Sequence, residues 1–170
     1  SAVPAGRSAM PIAPLARLRV LTTARGVAAA YAARMLAVLG AEVTLVEPPG
    51  GSPLRRELPF LPGSEVSALF AYLAAGMDSR ICELASKAGR AALGALLSET
   101  DIFIDDTPLA ERAANGLGLD KATIAASHPA LIHVSAPPFG AFGLKAAWKG
   151  EEINLLHASG EGFLLPNGPT

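Results

Sequence analysis

Leu18-Arg-Val-Leu-Thr22, a turn at Ala24-Arg-Gly-Val27, an alanine-rich stretch over 28–39 stopped by Gly40, and Glu42-Val-Thr-Leu-Val46 follow one another within about thirty residues. Short β-branched and leucine runs bounded by turn residues read as strands, and helix formers closed by glycine read as a helix. Strand, helix and strand at this spacing form a βαβ unit, whose two strands run parallel. That unit excludes most all-helical and antiparallel folds at once.

The rest of the chain repeats the alternation. Residues 66–75 read as a helix, Arg80-Ile-Cys-Glu-Leu84 as a strand with Ile81 and Cys82 on opposite faces, and 87–97 as a helix capped by Ser86. Ile102-Phe-Ile104 reads as a buried strand with aspartates at both ends. Helices follow at 109–114 and, capped by Asp120, through Ala126; Leu131-Ile-His-Val-Ser135 is the last strand. The fold class is therefore α/β, a Rossmann-like, mostly parallel sheet flanked by helices. Such sheets bind ligands beyond the carboxyl ends of their strands, here the loops 23–27, 47–51, 105–109 and 135–139. Residues 48–64, with prolines, glycines and the pair Arg55-Arg56, form a long irregular loop.

The expected organisation is a flexible leader at 1–14, one domain at 15–147, and a short helix with turn residues at 148–170, where the fold looks cut off. With 170 residues and 51% hydrophobic composition the chain can bury a full core. A net charge of −1 gives no global electrostatic case for nucleic acid or a membrane surface. No apolar run is long enough to span a bilayer, so a cytoplasmic protein is the expectation. One cysteine, Cys82, excludes an internal disulfide and a multi-cysteine zinc site. In mid-strand it reads as a small buried apolar residue.

The first βα turn is the natural anion site, because helix amides and the helix dipole favour negative charge there. Arg25 supplies a cation and Gly26 permits close backbone approach, although Gly26 also reads as an ordinary turn residue. Glu47 follows Gly26 by 21 residues, where a dinucleotide fold places its ribose-binding acid. Ala24-Arg-Gly-Val-Ala-Ala-Ala30 holds one glycine, so the dinucleotide fingerprint is missing and nicotinamide binding is disfavoured. His128, His133 and His157 lack metal-ligand spacing and read as structural or exposed, and no metal is expected. Glu151-Glu152 fits the first turn of a helix, where the dipole favours carboxylates.

An ordered series of segments resembles the class III coenzyme A transferases (the CaiB/BaiF type), a family that includes carnitine and bile-acid CoA transferases and α-methylacyl-CoA racemases. The series begins at Leu18-Arg-Val-Leu and Tyr31-Ala-Ala-Arg-Met-Leu-Ala-Val-Leu-Gly-Ala-Glu-Val-Thr-Leu-Val-Glu-Pro-Pro-Gly-Gly51. It continues through Pro53-Leu-Arg-Arg56, Ser79-Arg-Ile-Cys-Glu-Leu84, Gly89-Arg-Ala-Ala-Leu93 and Asp101-Ile-Phe-Ile-Asp-Asp106. Gly116-Leu-Gly118, His128-Pro-Ala-Leu-Ile-His-Val-Ser135, Pro138-Phe-Gly140 and Ala158-Ser-Gly160 complete it.

The resemblance implies a domain that receives acyl-CoA and pairs as an interlocked dimer. It implies transferase chemistry in which an aspartate attacks the thioester, giving a mixed anhydride and then an enzyme-bound CoA thioester. By position, Arg25, Gly26, Val27 and Ala28 match the family loop that lies against CoA. Lys149, a further CoA-binding position, matches a basic position before the Gly-Tyr-Asp-like element, here Gly150-Glu-Glu152, with Glu152 keeping a carboxylate as a possible acid/base position. The nucleophilic aspartate falls beyond that element and outside these residues, so no catalytic nucleophile is expected in this chain.

Three departures from the family pattern bear on binding. Ala28-Ala-Ala30 replaces Ala-Gly-Pro, Ser79 stands where a lysine often meets CoA, and Asp106 replaces an amide with a carboxylate near the expected nucleotide. Three readings follow: the CoA-facing portion of a class III transferase-like enzyme, inactive alone; a degenerate non-catalytic module that pairs with a complete half; or a nicotinamide-type dinucleotide domain. The first two imply weak or absent CoA affinity in the isolated chain and association beyond the monomer.

Overall fold

The computed structural model describes residues 13–114 and 119–164, so expectations for most of the leader, for Gly116-Leu-Gly118 and for 165–170 lie outside the described residues. Five strands, β1 (Arg19–Thr22), β2 (Glu42–Glu47), β3 (Met77–Ile81), β4 (Ile102–Asp105) and β5 (Ile132–Ser135), form one sheet in the order β3-β2-β1-β4-β5. Every neighbouring pair is parallel. The helices are α1 (Val27–Val38), α2 (Ala68–Leu73), α3 (Lys87–Ser98), α4 (Leu109–Ala114), α5 (Lys121–Ser127), α6 (Glu152–Ala158) and α7 (Glu161–Leu164). The order reverses between β1 and β4, and that reversal opens the sheet for a ligand.

Alternation along the strands builds two cores, one per face. Val20, Val43 and Ile104 pack with Ala29, Ala30 and Ala33 of α1 and Leu73 of α2. Leu21, Val46 and Phe103 pack with Leu93 and Leu97 of α3, with Leu119 before α5 and with Ile124 of α5. A parallel sheet covered on both faces explains why its central strands read as continuous apolar runs. Alanines at three inward positions let α1 lie close to the strands, and Gly40 ends the helix with φ +96°, a left-handed conformation that favours glycine.

Local signals place the helix starts. Ser67 Oγ accepts from the Phe70 amide, Ser86 Oγ from Gly89, and Asp120 Oδ1 from Thr123, at 2.9–3.1 Å. Strand β3 departs from expectation, beginning at Met77 rather than Arg80. It is an edge strand whose register comes from backbone pairing with β2, Val43 opposite Met77 through Glu47 opposite Ile81, and not from an apolar pattern. The expected split of side chains still holds: Ile81 is 72% exposed and Cys82 is 7% exposed. The irregular loop after β2 contains a 3-10 turn, Pro53–Arg56, and the tail carries two short helices rather than one.

Helix α3 approaches the loop before it closely enough to leave no room at Gly89, where a Cβ would stand 2.0 Å from the Glu83 carbonyl oxygen. Gly89→Ala is expected to destabilise the fold by about 2 kcal/mol, read as a lower urea midpoint. An unchanged midpoint would show that this contact yields freely.

Candidate functional site at the sheet reversal

Asp105, which ends β4, and Asp106, which follows it, point to different tasks. Asp105 is wholly buried, and its Oδ1 accepts from Thr23 Oγ1 and from the Thr107 amide, both at 2.9 Å. Its Oδ2 lies 2.8 Å from Arg112 Nη2 of α4 in a buried ion pair. Arg112 also donates to the carbonyls of Thr107 and Leu119 and to Ser135 Oγ, at 2.8, 3.2 and 2.9 Å. One carboxylate and one guanidinium thus tie together the carboxyl ends of β1, β4 and β5.

Asp106 turns the other way, onto the start of α1. It accepts from the Arg25 amide at 3.0 Å and the Gly26 amide at 2.7 Å. Thr22 Oγ1 accepts from the Ala24 amide at 3.1 Å and shapes the turn that presents these amides. Burial pushes the Asp106 carboxyl above its ordinary range, opposed by the two amide bonds. Arg25 itself forms an ion pair with Glu111 of α4. The anion-attracting capacity of this turn is therefore directed at carboxylates of the same chain.

Glu47, at the end of β2, holds the loop that follows. Its Oε2 accepts from the Ser52 amide at 2.7 Å and Arg55 Nε at 2.6 Å, and Oε1 from Arg55 Nη2 at 2.6 Å and from Ser79 Oγ. Both oxygens are taken, which removes the ribose-binding role that the spacing from Gly26 had offered. The Arg55 guanidinium foremost, with Ser79 and the Ser52 amide, holds the Glu47 carboxyl down to about 2 against the opposing effect of burial. Arg55 also stacks on Phe70, 4.1 Å from the ring centroid.

Between these clusters lies a cleft of about 520 Å³. Thr23 and Arg25 line it after β1, residues 47–51 with Pro53 and Arg56 after β2, residues 82–85 after β3, and Thr107 and Glu111 after β4. Three of the four loops expected to gather do so. Arg25 lines the cleft, while Gly26, Val27 and Ala28 are exposed on the first turn beside it. Lys149 is exposed in the segment before α6, away from the cleft wall, and Glu152 opens α6. Sequence reasoning missed Arg112 and Glu111, whose positions on a short helix carry no pattern that marks them.

The remaining candidates are Cys82 and the three histidines. Cys82 lines the cleft, but its Sγ lies 3.1 Å from the Gly89 carbonyl and burial raises the thiol's pKa, which disfavours the thiolate. His133 stacks on Phe103 with centroids 5.2 Å apart, and burial lowers its pKa, the nearby Asp105 charge opposing. His128 ends α5, and His157 is exposed on α6. Among the described residues no three His, Cys, Asp or Glu side chains gather as a metal site, and no helix is long and apolar enough to cross a membrane.

The depressed Glu47 pKa has a defined sign in stability. A carboxyl at about 2 when folded and near 4.5 when unfolded contributes stability above pH 4.5, lost as pH falls toward 2. Glu47→Gln is expected to flatten the acid limb of stability against pH in that window, by at most about 3 kcal/mol. Parallel acid limbs for both proteins in denaturant titrations would refute the assignment.

A family model described as CoA-transferase family III matches residues 15–168. The chain is 34% identical over 133 residues to the succinyl-CoA:(R)-benzylsuccinate CoA-transferase subunit BbsE of Thauera aromatica, covering 76% of this chain and 32% of that protein. It is 31% identical over 156 residues to a succinate–glutarate CoA-transferase of Agrobacterium fabrum, covering 86% and 38%. A crystal structure of a CaiB/BaiF family protein from Brucella suis superposes with a TM-score of 0.77 at 29% identity, over 86% of this chain and 39% of that one. A hypothetical protein from Mycobacterium tuberculosis gives 0.76 at 25% identity, over 92% and 42%. The chain thus spans about a third of the length of these two curated relatives. Its fold, the order of its matching segments and these likenesses agree, and the chain belongs to CoA-transferase family III.

Proposed function

We propose that this chain forms the CoA-facing domain of an acyl-CoA transferase or α-methylacyl-CoA racemase of that family, acting in the cytoplasm. The observation that carries the reading is the cleft of about 520 Å³ outside the carboxyl ends of the parallel strands, with Arg25 and Arg56 in its wall. Acyl-CoA lies in it against the turn formed by Arg25, Gly26, Val27 and Ala28. Lys149 is a further CoA-binding position, and Glu152 is the acid/base position. The attacking carboxylate comes from a part of the enzyme outside these residues, so the isolated chain binds without turnover.

A second reading, a non-catalytic module that pairs with a complete half, draws support from Asp106 on the α1 amides and Glu111 on Arg25. Both carboxylates stand where an incoming phosphate would be attracted, and both lower its affinity. Calorimetric titration of the chain with acetyl-CoA separates the two readings. The expected dissociation constant is weaker than micromolar, and Asp106→Asn should tighten it about five-fold by removing roughly 1 kcal/mol of charge repulsion. Micromolar binding by the unaltered chain would overturn the degenerate reading; no binding by either protein would overturn the first.

Pairing with a second copy, or with another half of the family, belongs to the same proposal. Val27, Tyr31, Met35 and Val38 leave an exposed apolar stripe along α1, and Tyr72 of α2 is exposed nearby, stacked under Arg34. Sedimentation equilibrium is expected to show association that grows with concentration. A single monomeric species at high concentration would contradict it.

A further inference from the structure

The outermost strand β5 carries a titratable group away from the cleft wall. His133 stands across from Phe103 of β4 and stacks on its ring, with centroids 5.2 Å and planes 17° apart. Its Nε2 is closed off from solvent and has no hydrogen-bond partner among the described residues. β5 is an edge strand, held to β4 by backbone bonds such as the Ile132 amide on the Asp101 carbonyl and the Ala136 amide on the Asp105 carbonyl, at 2.9 and 2.8 Å. Arg112 adds a side-chain bond at its tip, to Ser135 Oγ. Ile132 and Val134 are 60% and 42% exposed, so little apolar burial holds this strand compared with the inner ones.

Charged groups approach the imidazole from two elements. Asp101 and Asp105 of β4 flank Phe103 on the shared face; Asp101 accepts from the Arg19 amide, and Asp105 is paired with Arg112 of α4. Glu111, also on α4, is paired with Arg25. α5 covers this face with Ile124, while Asp120 caps its own helix at Thr123, Lys121 is exposed and His128 closes the helix before the turn into β5. α3 meets the face with Leu93 and Leu97; its Lys87 is exposed and its Arg90 donates to the Leu84 and Ala85 carbonyls. A proton on His133 therefore places a second cation near Arg112 with one buried carboxylate between them, where water cannot screen the charge.

We infer that His133 makes β5 an acid-released edge: a proton taken up by the buried imidazole sets it against Arg112 for Asp105, and the strand with the loop behind it, residues 136–140, comes away from β4 while the inner strands stay paired. This device stands independently of any ligand reading. Burial foremost, together with Arg112, holds the imidazole below the ordinary 6.5, with Asp105 opposing. A released β5 exposes a histidine that binds its proton near 6.5, so closure is favoured fully above that pH and loses ground as pH falls toward the lower value of the closed strand.

Amide hydrogen exchange of the whole chain, read by NMR as protection factors, tests this. Over the pH unit below 6.5 the Ile132 and Ala136 amides are expected to lose about five-fold in protection. The Thr23 and Asp101 amides, which tie β1 to β4, should show no comparable loss. His133→Phe keeps the ring stack without a proton site, and its β5 amides are expected to hold their protection across the same interval. The imidazole signals of the unaltered chain give a second readout and should titrate below 6.5. Equal loosening of β5 in the phenylalanine variant, a loss shared equally by β1 and β5, or an imidazole titrating at or above 6.5 would each overturn the inference.

Discussion

The buried pair of Asp105 and Arg112 carries the arrangement of the site. It is enclosed among the tips of three strands, where water cannot solvate either charge. A buried ion pair adds little net stability over an apolar pair of the same volume, yet removing one partner strands the other at a cost of roughly 3–5 kcal/mol. Its effect is therefore geometric. Asp105 reaches Thr23 after β1 and Thr107 after β4, while Arg112 reaches Ser135 at the end of β5. The loops at the sheet reversal are held in one relative position, so the residues next to them, Asp106 and Glu111, meet Arg25 and its amides without a search.

That placement changes what the first βα turn can do. In an α/β fold the start of α1 offers unsatisfied amides and a favourable dipole to an anion. Here the anion is supplied from within: Asp105 ends β4 in the core, and Asp106, just past the strand, accepts from the amides at the start of α1. Carboxylate and amides satisfy each other, which caps α1 across 80 residues of sequence in the absence of any side-chain cap at Gly26. The same contact makes the turn a poorer host for phosphate. Local stability and ligand affinity compete there for one set of donors.

Elements governed by short-range chemistry were legible in the sequence. The βαβ unit, the Ser86 and Asp120 caps, Gly40 and the buried run at 102–104 all act within a few residues, and the structure agrees with each. The strand at 80–84 was displaced because an edge strand is registered by its neighbour's backbone, and Asp78-Ser79-Arg80 carry no apolar signal. Glu47 looked like a ribose ligand because spacing measures distance along the chain only. Its clamp comes from Arg55 eight residues on and Ser79 thirty-two on, and only the folded loop and the β2–β3 pairing bring these together. Arg112 was invisible for the same reason: its six-residue helix has no periodicity to distinguish an inward guanidinium from a solvated one.

Ser79 shows how one substitution propagates through such a network. The family resemblance places a lysine there, and the structure shows Ser79 donating to a carboxylate that Arg55 already neutralises. A lysine there would have added a second cation beside Arg55 at a carboxylate that one guanidinium already neutralises. Serine supplies the hydrogen bond without the charge, so the Glu47 cluster closes on itself and projects no cation. Asp106 and Glu111 close the β1–α1 side in the same manner.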